Sequence, residues 1–247
     1  METSTALLLL GGGLAAGFLN TVAGGGSVIT LPLLTEVVGL PATVANGTNR
    51  IAILFQNVVG ASRFARGGAL EPRSVLGVAP AVLGGALAGA WLATLLAPDA
   101  LRRIFAVVLV GVSLTVVLRP SRWLEGSPKP LSEPWRSFVF FCIGVYGGFV
   151  QAGVGFLLLA GLVLGQGLDL VRGNAAKVFL VLLYTPLALL LFSRAGQVAW
   201  VPGLVLAAGN MAGAWIGSAL AIRKGAGWIR WVVVAAALGA AARMLLR

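Results

Sequence analysis

Two basic residues inside apolar segments are the first candidates for chemistry in this sequence. Arg50 and Lys177 lie within such segments, whereas the other basic residues lie at segment ends or between segments. A charge placed there is costly, so it normally faces the interior of a helix bundle and serves a function. A side chain that snorkels to an interface, or one paired with a carboxylate, is the alternative. Because neither segment contains an acidic residue, we favour a bound anion as the partner.

Two glycine clusters are the second candidate. Ala23-Gly24-Gly25-Gly26-Ser27 lies in the apolar run 6–38, and Gly153-Val154-Gly155 lies in the run 137–165. As one helix the first run would be about 50 Å long, beyond the roughly 30 Å of a bilayer core, so we expect a break at the glycines. The N–H groups freed by a break must face protein or a wet cavity, and a helix start is a ready anion site. Tight helix packing is the alternative explanation.

Side chains that can donate hydrogen bonds gather beside both cations and both glycine clusters: Asn20, Asn46, Thr48, Asn49, Gln151 and Asn174. Each could simply bond a neighbouring helix. As a set, they predict a central cavity lined by donors and poor in negative charge. The predicted anion-binding residues are Gly24, Gly25, Gly26, Ser27, Asn46, Thr48, Asn49, Arg50, Gln151, Gly153, Val154, Gly155, Asn174 and Lys177.

The composition is that of an integral membrane protein. Hydrophobic residues make up 59% of the chain, charged residues 10%, and the mean hydropathy is +0.99. A soluble domain carries roughly a quarter charged residues. The net charge of +11 does not indicate a nucleic-acid partner, because the basic residues lie mostly in short loops, where the positive-inside rule places them. We expect a multi-pass protein of the inner (cytoplasmic) membrane.

Enzymatic functions and cofactors find no support in the sequence. Histidine is absent and Cys142 is the only cysteine, so the chain has no histidine metal site, no Ser-His or Cys-His pair and no internal disulfide. A phosphate-binding loop of the Gly-x4-Gly-Lys-Ser/Thr form is also absent. We expect neither an enzyme nor a cofactor.

Eight apolar segments predict an all-α fold in one transmembrane domain, residues 1–247. They cover about 6–38 (broken), 42–62, 74–97, 100–118, 137–165 (broken), 171–193, 199–222 and 228–246. A proline-rich polar linker, 119–136, separates a first repeat (1–118) from a second (137–247). Four short matches in the same order support two pseudo-symmetric repeats, for example Ala88-Gly89-Ala90-Trp91 with Ala212-Gly213-Ala214-Trp215.

The distribution of basic residues bears on the topology. If all eight segments span, ten basic residues face one side and six the other; if the broken segments are re-entrant hairpins, the division is eleven to five. The second arrangement obeys the positive-inside rule better and makes the repeats inverted copies. We favour it, and full crossing by the broken segments stays open.

Motifs in both halves resemble the TauE/SafE sulfite exporter family. They are Gly17-Phe18, Ala23-Gly24-Gly25-Gly26-Ser27, Leu31-Pro32-Leu33-Leu34, Gly39-Leu40-Pro41, Gly47-Thr48-Asn49, Gly147-Gly148-Phe149, Gly153-Val154-Gly155-Phe156 and Asn174-Ala175-Ala176-Lys177. The resemblance covers nearly the whole chain. Val154, where the first half has Gly25, and Arg50, where many members are apolar, depart from the pattern.

The resemblance implies a membrane permease for a small sulfur-containing anion, such as sulfite or a small sulfonate, with export from the cytoplasm as the expected direction. Its partners would be that anion and the lipid bilayer, and it could form a homo-oligomer. Import or channel-like conduction of a related anion, such as thiosulfate or an organic acid, is an alternative. A non-transporting membrane scaffold is another, although it would leave the donor clusters without a purpose.

Overall fold

The computed structural model of the protein describes residues 1–96 and 131–245, and the regular structure in these ranges is entirely helical. The predicted segment 100–118 and most of the predicted linker 119–136 lie outside the described residues. The helices are α1 Thr3–Val22, α2 Ser27–Pro32, α3 Ala42–Arg66, α4 Arg73–Leu76, α5 Ala79–Thr94, α6 Trp135–Phe149, α7 Val154–Gln166, α8 Leu170–Arg194 and α9 Trp200–Leu245; a π-helical turn, Leu33–Val37, continues α2.

Three of the described helices are long and apolar enough to cross a bilayer: Thr3–Val22, Leu170–Arg194, and Trp200–Ile229 within α9. The predicted segments 199–222 and 228–246 correspond to two helices within α9, which divide at Gly225, where φ is +71° and ψ is −168° and the backbone is not helical. α3 is also long, but it carries polar side chains along its first half and is buried there. It is therefore an interior helix of the bundle.

The predicted first and fifth segments each form two helices. α1 ends at Val22 and α2 begins at Ser27, while α6 ends at Phe149 and α7 begins at Val154. Gly24 (φ +96°) and Gly153 (φ +74°) lie in these connections, in a region of φ that side chains disfavour.

Both pairs of helices run antiparallel. Gly26 packs against Ala16, and further along Gly12 packs against Leu33, so α2 returns beside α1. In the second pair the N–H of Leu131, just before α6, donates to the carbonyl of Gly165 in α7 at 2.9 Å. Each hairpin therefore begins and ends at the same end of the bundle. We call α1–α2 the first hairpin and α6–α7 the second hairpin.

Each hairpin packs through glycine on a helix from the other half of the chain. Gly85 and Gly89 of α5 lie against the backbone of α6, at Phe141 and Val145 and then at Val145 and Phe149. In α9, the glycines Gly209, Gly213 and Gly217 lie in the same way against the backbone of α1, at Leu10, Leu14 and Phe18. Because successive contacts move toward the C-terminal end of both helices in a pair, the two helices of each pair are parallel. Small residues permit this close approach of backbones.

At the centre, α3 and α8 pack antiparallel. Gly47, near the start of α3, lies against Phe192 near the end of α8. Gly60, near the end of α3, lies against Val178 near the start of α8. Apolar side chains of α3, α5, α6, α7 and α8 form the largest buried cluster, which includes Ile53, Phe140 and Tyr184. The two central helices therefore present their side chains to both hairpins.

Candidate functional site

Lys177 binds the end of the first hairpin's α1. Its side chain is 2% exposed, and Nζ donates to the carbonyls of Asn20 and Thr21, each at 3.0 Å, and to Oδ1 of Asn174 at 2.5 Å. The last carbonyls of a helix have no intrahelical partner and carry the negative end of its dipole. A cation from α8 therefore caps α1.

Arg50 does the same for the second hairpin. The side chain is fully buried, and its guanidinium donates to the carbonyls of Gly147 at 2.8 Å and Gly148 at 2.6 Å and to Oε1 of Gln151. The guanidinium carbon also lies 5.3 Å from the centre of the Phe192 ring. Arg50 belongs to α3, so each central helix caps the broken helix of the other half.

The prediction of a bound anion as the partner of both cations stays a prediction, and in the described form both cations have protein partners instead. Their donors contact backbone carbonyls that the ends of α1 and α6 leave without partners. Asn46 acts with Arg50, because its Nδ2 donates to the carbonyl of Phe149 at 2.8 Å. The sequence cannot indicate which carbonyls act as acceptors, since every residue has one.

The two glycine connections touch each other. The backbones of Gly24 and Gly155 are in direct contact, and a methyl group on either would overlap the other. Gly25 lies against the ring of Phe156, and Gly26 lies against the carbonyl of Ala16. The predicted site glycines thus bring the two hairpins together at one point.

Three further predicted residues hold elements in place. Asn49 donates from Nδ2 to the hydroxyl of Ser27 at 3.2 Å and accepts from the hydroxyl of Thr30 at 2.7 Å. These bonds tie α3 to the start of α2. Thr48 accepts from the N–H of Ala199 at 2.9 Å, just before α9.

A small central cavity lies beside the contact of the two hairpins. It is lined by Asn20, Gln56, Asn57, Gln151, Val154, Gly155, Lys177 and Val181. The cavity leaves about 10 Å³ for the centre of a water molecule, which is about the minimum that holds one water. None of the described lining residues is acidic. Four of the fourteen predicted residues reach it: Gln151, Val154, Gly155 and Lys177.

Gln56 and Asn57 also line this cavity, and neither is among the predicted site residues. Gln56 is 1% exposed, and its Oε1 accepts from Asn210 at 3.0 Å and from Asn20 at 3.3 Å. Two consecutive carboxamides inside the apolar segment 42–62 were a usable signal, of the same kind as Asn46 and Asn49.

Several buried polar atoms near this centre have no hydrogen-bond partner among the described residues. They include Nδ2 of Asn174, Oγ1 of Thr21 and Oδ1 of Asn210. Asn174 and Thr21 both neighbour the Lys177 contacts. Buried polar groups normally find a partner, so these atoms mark a part of the centre whose polar groups the described residues do not all satisfy.

These features define an integral membrane protein with interlocked hairpins around a polar centre. The family model described as "Sulfite exporter TauE/SafE" matches residues 9–244. The chain belongs to this family of membrane transporters.

Named relatives agree with this assignment. The chain is 31% identical to "Probable membrane transporter protein ORF9" of Sinorhizobium sp, over 93% of this chain and 88% of the relative. It is 28% identical to "Probable membrane transporter protein YfcA" of Escherichia coli K12 (93% and 86%), and 26% identical to a "Probable membrane transporter protein" of Haemophilus influenzae (94% and 91%). No solved structure is significantly similar to the chain.

Proposed function

We propose that the protein is a permease that exports a small sulfur-containing anion, sulfite or a small sulfonate, across the cytoplasmic membrane. The observation that carries the proposal is the central cavity, where four carboxamides from three elements of the fold (α1, α3 and the connection between α6 and α7) lie beside the ammonium group of Lys177. Amide N–H groups and an ammonium group donate hydrogen bonds, and the oxygens of such an anion accept them. With no acidic side chain in the described lining, an anion would meet little repulsion.

The transmembrane domain, residues 1–247, would consist of inverted repeats, 1–118 and 137–247, joined by the linker 119–136. Equivalent glycine contacts support this: Gly89 approaches Val145 and Phe149 as Gly213 approaches Leu14 and Phe18. The antiparallel packing of α3 and α8, which hold corresponding positions in the halves, also supports inversion. The return of each hairpin to its own end favours the re-entrant topology.

Transport would require the two hairpins to separate. A sulfite ion has four non-hydrogen atoms, whereas the cavity has room for about one water molecule. The described form is therefore a closed one, and the contact between Gly24 and Gly155 is the one that must open. Movement of one hairpin, together with the central helix that caps it, against the other such pair would then expose the site to each side in turn.

In the open form the anion would meet the N–H groups around Gly24–Ser27 and Gly153–Phe156. Val154 and Gly155 already line the cavity, and the N–H groups of Val154 and Phe156, which donate to the carbonyls of Gln151 and Gly153 in the described form, would exchange these acceptors for the anion. Gln56 and Gln151 would add side-chain donors, and Lys177, whose three N–H groups already donate to Asn20, Thr21 and Asn174, would add positive charge. Arg50, Asn46, Thr48 and Asn49 would position the elements around the anion rather than contact it.

The membrane potential could drive export. An elementary charge that crosses a negative-inside potential gains about 2.3 kcal/mol per 100 mV. A monovalent anion is therefore pushed outward without a coupled ion. The described cavity lining contains no carboxylate that could carry a proton.

The test is sulfite efflux from proteoliposomes with a set membrane potential. We expect efflux to rise with an interior-negative potential and to ignore an imposed pH gradient. Gln56→Leu should reduce the rate at least about tenfold, since it removes a donor from the site. The matched control is Gln197→Leu, a half-buried glutamine outside the cavity that donates to the carbonyl of Thr94.

Three results would contradict the proposal. Uphill transport driven by a pH gradient alone would refute voltage-driven export. Equal rates in Gln56→Leu and the wild type would remove the cavity as the site. The absence of both sulfite flux and sulfite binding would favour a scaffold, whereas flux of thiosulfate or an organic acid alone would change the substrate.

A further inference from the structure

A second cavity lies at the end of the bundle where α3 ends, well away from the central site. It has a volume of about 260 Å³ and is lined by Arg63, Arg66, Gly67, Ala219, Ile222 and Arg223. Three of these six residues are arginines, and none of the described lining residues is acidic. We call this the basic cavity.

Neighbouring contacts fix the shape of the basic cavity. The guanidinium carbon of Arg63 lies 3.9 Å from the centre of the Trp215 ring, a cation–π contact that holds this side chain at the rim. On the other side, the turn after α3 packs tightly on α9, because a methyl group at Gly67 would lie 2.7 Å from Cδ1 of Ile222. The arginines therefore lie on a well-packed, partly apolar wall of the basic cavity.

An exposed apolar stripe on α9 leads to this cavity. Leu204, Met211 and Trp215 are all exposed and follow one another at helical spacing on one face. The stripe is about 16 Å long at 1.5 Å per residue, and Ile222 lies seven residues beyond Trp215 on the same face. A ligand that fills the cavity from this side would be anionic at one end and apolar along its length.

We propose that the basic cavity binds the phosphate group of an anionic phospholipid, with an acyl chain along the stripe. Guanidinium groups match phosphate oxygens in geometry as well as charge. Free inorganic phosphate has the same head chemistry, but it would make no use of the stripe. The charge together with the adjacent apolar face therefore selects the lipid, and this inference does not depend on the transported substrate.

Native mass spectrometry of the full-length protein, released from detergent micelles with added dioleoyl phosphatidylglycerol or dioleoyl phosphatidylcholine, tests this site. We expect the wild type to retain phosphatidylglycerol at concentrations where phosphatidylcholine is lost. A basic residue near an anionic lipid contributes about fivefold in affinity. Arg66→Gln and Arg223→Gln should each weaken retention by about that factor, and the triple variant with Arg63→Gln by roughly a hundredfold.

Arg194→Gln is the matched control, because Arg194 ends α8 as an exposed arginine at the opposite end of the bundle. Its retention of phosphatidylglycerol should equal that of the wild type. The single variants change exposed side chains, so they stay informative if the triple variant does not fold. Met211→Gln interrupts the stripe and should weaken retention of the lipid without changing the effect of inorganic phosphate.

Three outcomes would overturn the proposal. One is retention by Arg66→Gln and Arg223→Gln that matches the wild type. Another is equal retention of the two lipids. The third is displacement of phosphatidylglycerol by millimolar inorganic phosphate with no effect of Met211→Gln, which would make the cavity a site for the free anion.

Discussion

Substituting alanine for Gly155 tests the contact on which the central site depends. Gly155 has no positive φ, so alanine brings only a methyl group. That methyl carbon would lie 2.7 Å from the carbonyl oxygen and 2.9 Å from the carbonyl carbon of Gly24. Both atoms belong to the backbone, so no side chain can rotate away. The two hairpins would have to move apart.

The size of the effect can be worked out from matched glycines. Overpacking typically costs about 1–3 kcal/mol, and a non-glycine residue at positive φ costs about 1–2 kcal/mol. Gly155→Ala incurs only the cost of overpacking. Gly39→Ala incurs only the cost of a side chain at positive φ, because φ is +78° and nothing lies within 4 Å. Gly24→Ala brings both terms, about 2–5 kcal/mol together.

Thermal unfolding in detergent measures these differences. For a chain of this size, 1 kcal/mol moves the Tm by about 2–4 °C. We expect Gly24→Ala to lower the Tm by about the sum of the Gly39→Ala and Gly155→Ala shifts. The double variant Gly24→Ala/Gly155→Ala should lose less than its two single variants added, because both methyl groups need the same separation. Strictly additive losses, or a Gly155→Ala protein as stable as the wild type, would refute the backbone contact.

Three further predictions separate residues that position helices from residues that line the cavity. Lys177→Met leaves three acceptors without a donor, at a cost of about 1–3 kcal/mol each. The cost is partly offset because an ammonium group no longer has to be desolvated. We expect a lower Tm and lost sulfite efflux, and an unchanged Tm would contradict the capping role. Arg50→Met should likewise lower the Tm, and hydrogen exchange should quicken at the end of α6 but not of α1. Asn49→Ala should cost about 1–3 kcal/mol in stability while efflux per folded molecule persists, whereas loss of efflux at unchanged stability would return Asn49 to the binding site.

The helices could be predicted because they follow from local composition. The segments 42–62 and 171–193 correspond to Ala42–Arg66 and Leu170–Arg194 in the structure. For 74–97 the main helix begins only at Ala79, after a short turn, because proline and glycine interrupt the start of the segment.

The partners of the two buried cations could not be predicted. Arg50 and Lys177 stand out because they are basic residues among apolar ones, which is a local property of the sequence. Their acceptors are backbone carbonyls 97 and 156 residues away, and carbonyls carry no sequence signature. Gln56 differs, because its signal was visible and only the direction of its side chain was unknown.

The crossed capping has a consequence for how the molecule can move. If each cation capped a helix in its own half, the halves could separate without disturbing either cap. Instead Lys177 of α8 holds α1, and Arg50 of α3 holds α6. A motion that pulls either hairpin from the opposite central helix would expose helix-end carbonyls in a medium that cannot satisfy them. The hairpin and the helix that caps it should therefore move as one body, with α1 following α8 and α6 following α3. The opening then falls at the contact of Gly24 with Gly155. It also has to break the bonds between α3 and the first hairpin, which join Gln56 to Asn20 and Asn49 to Ser27 and Thr30.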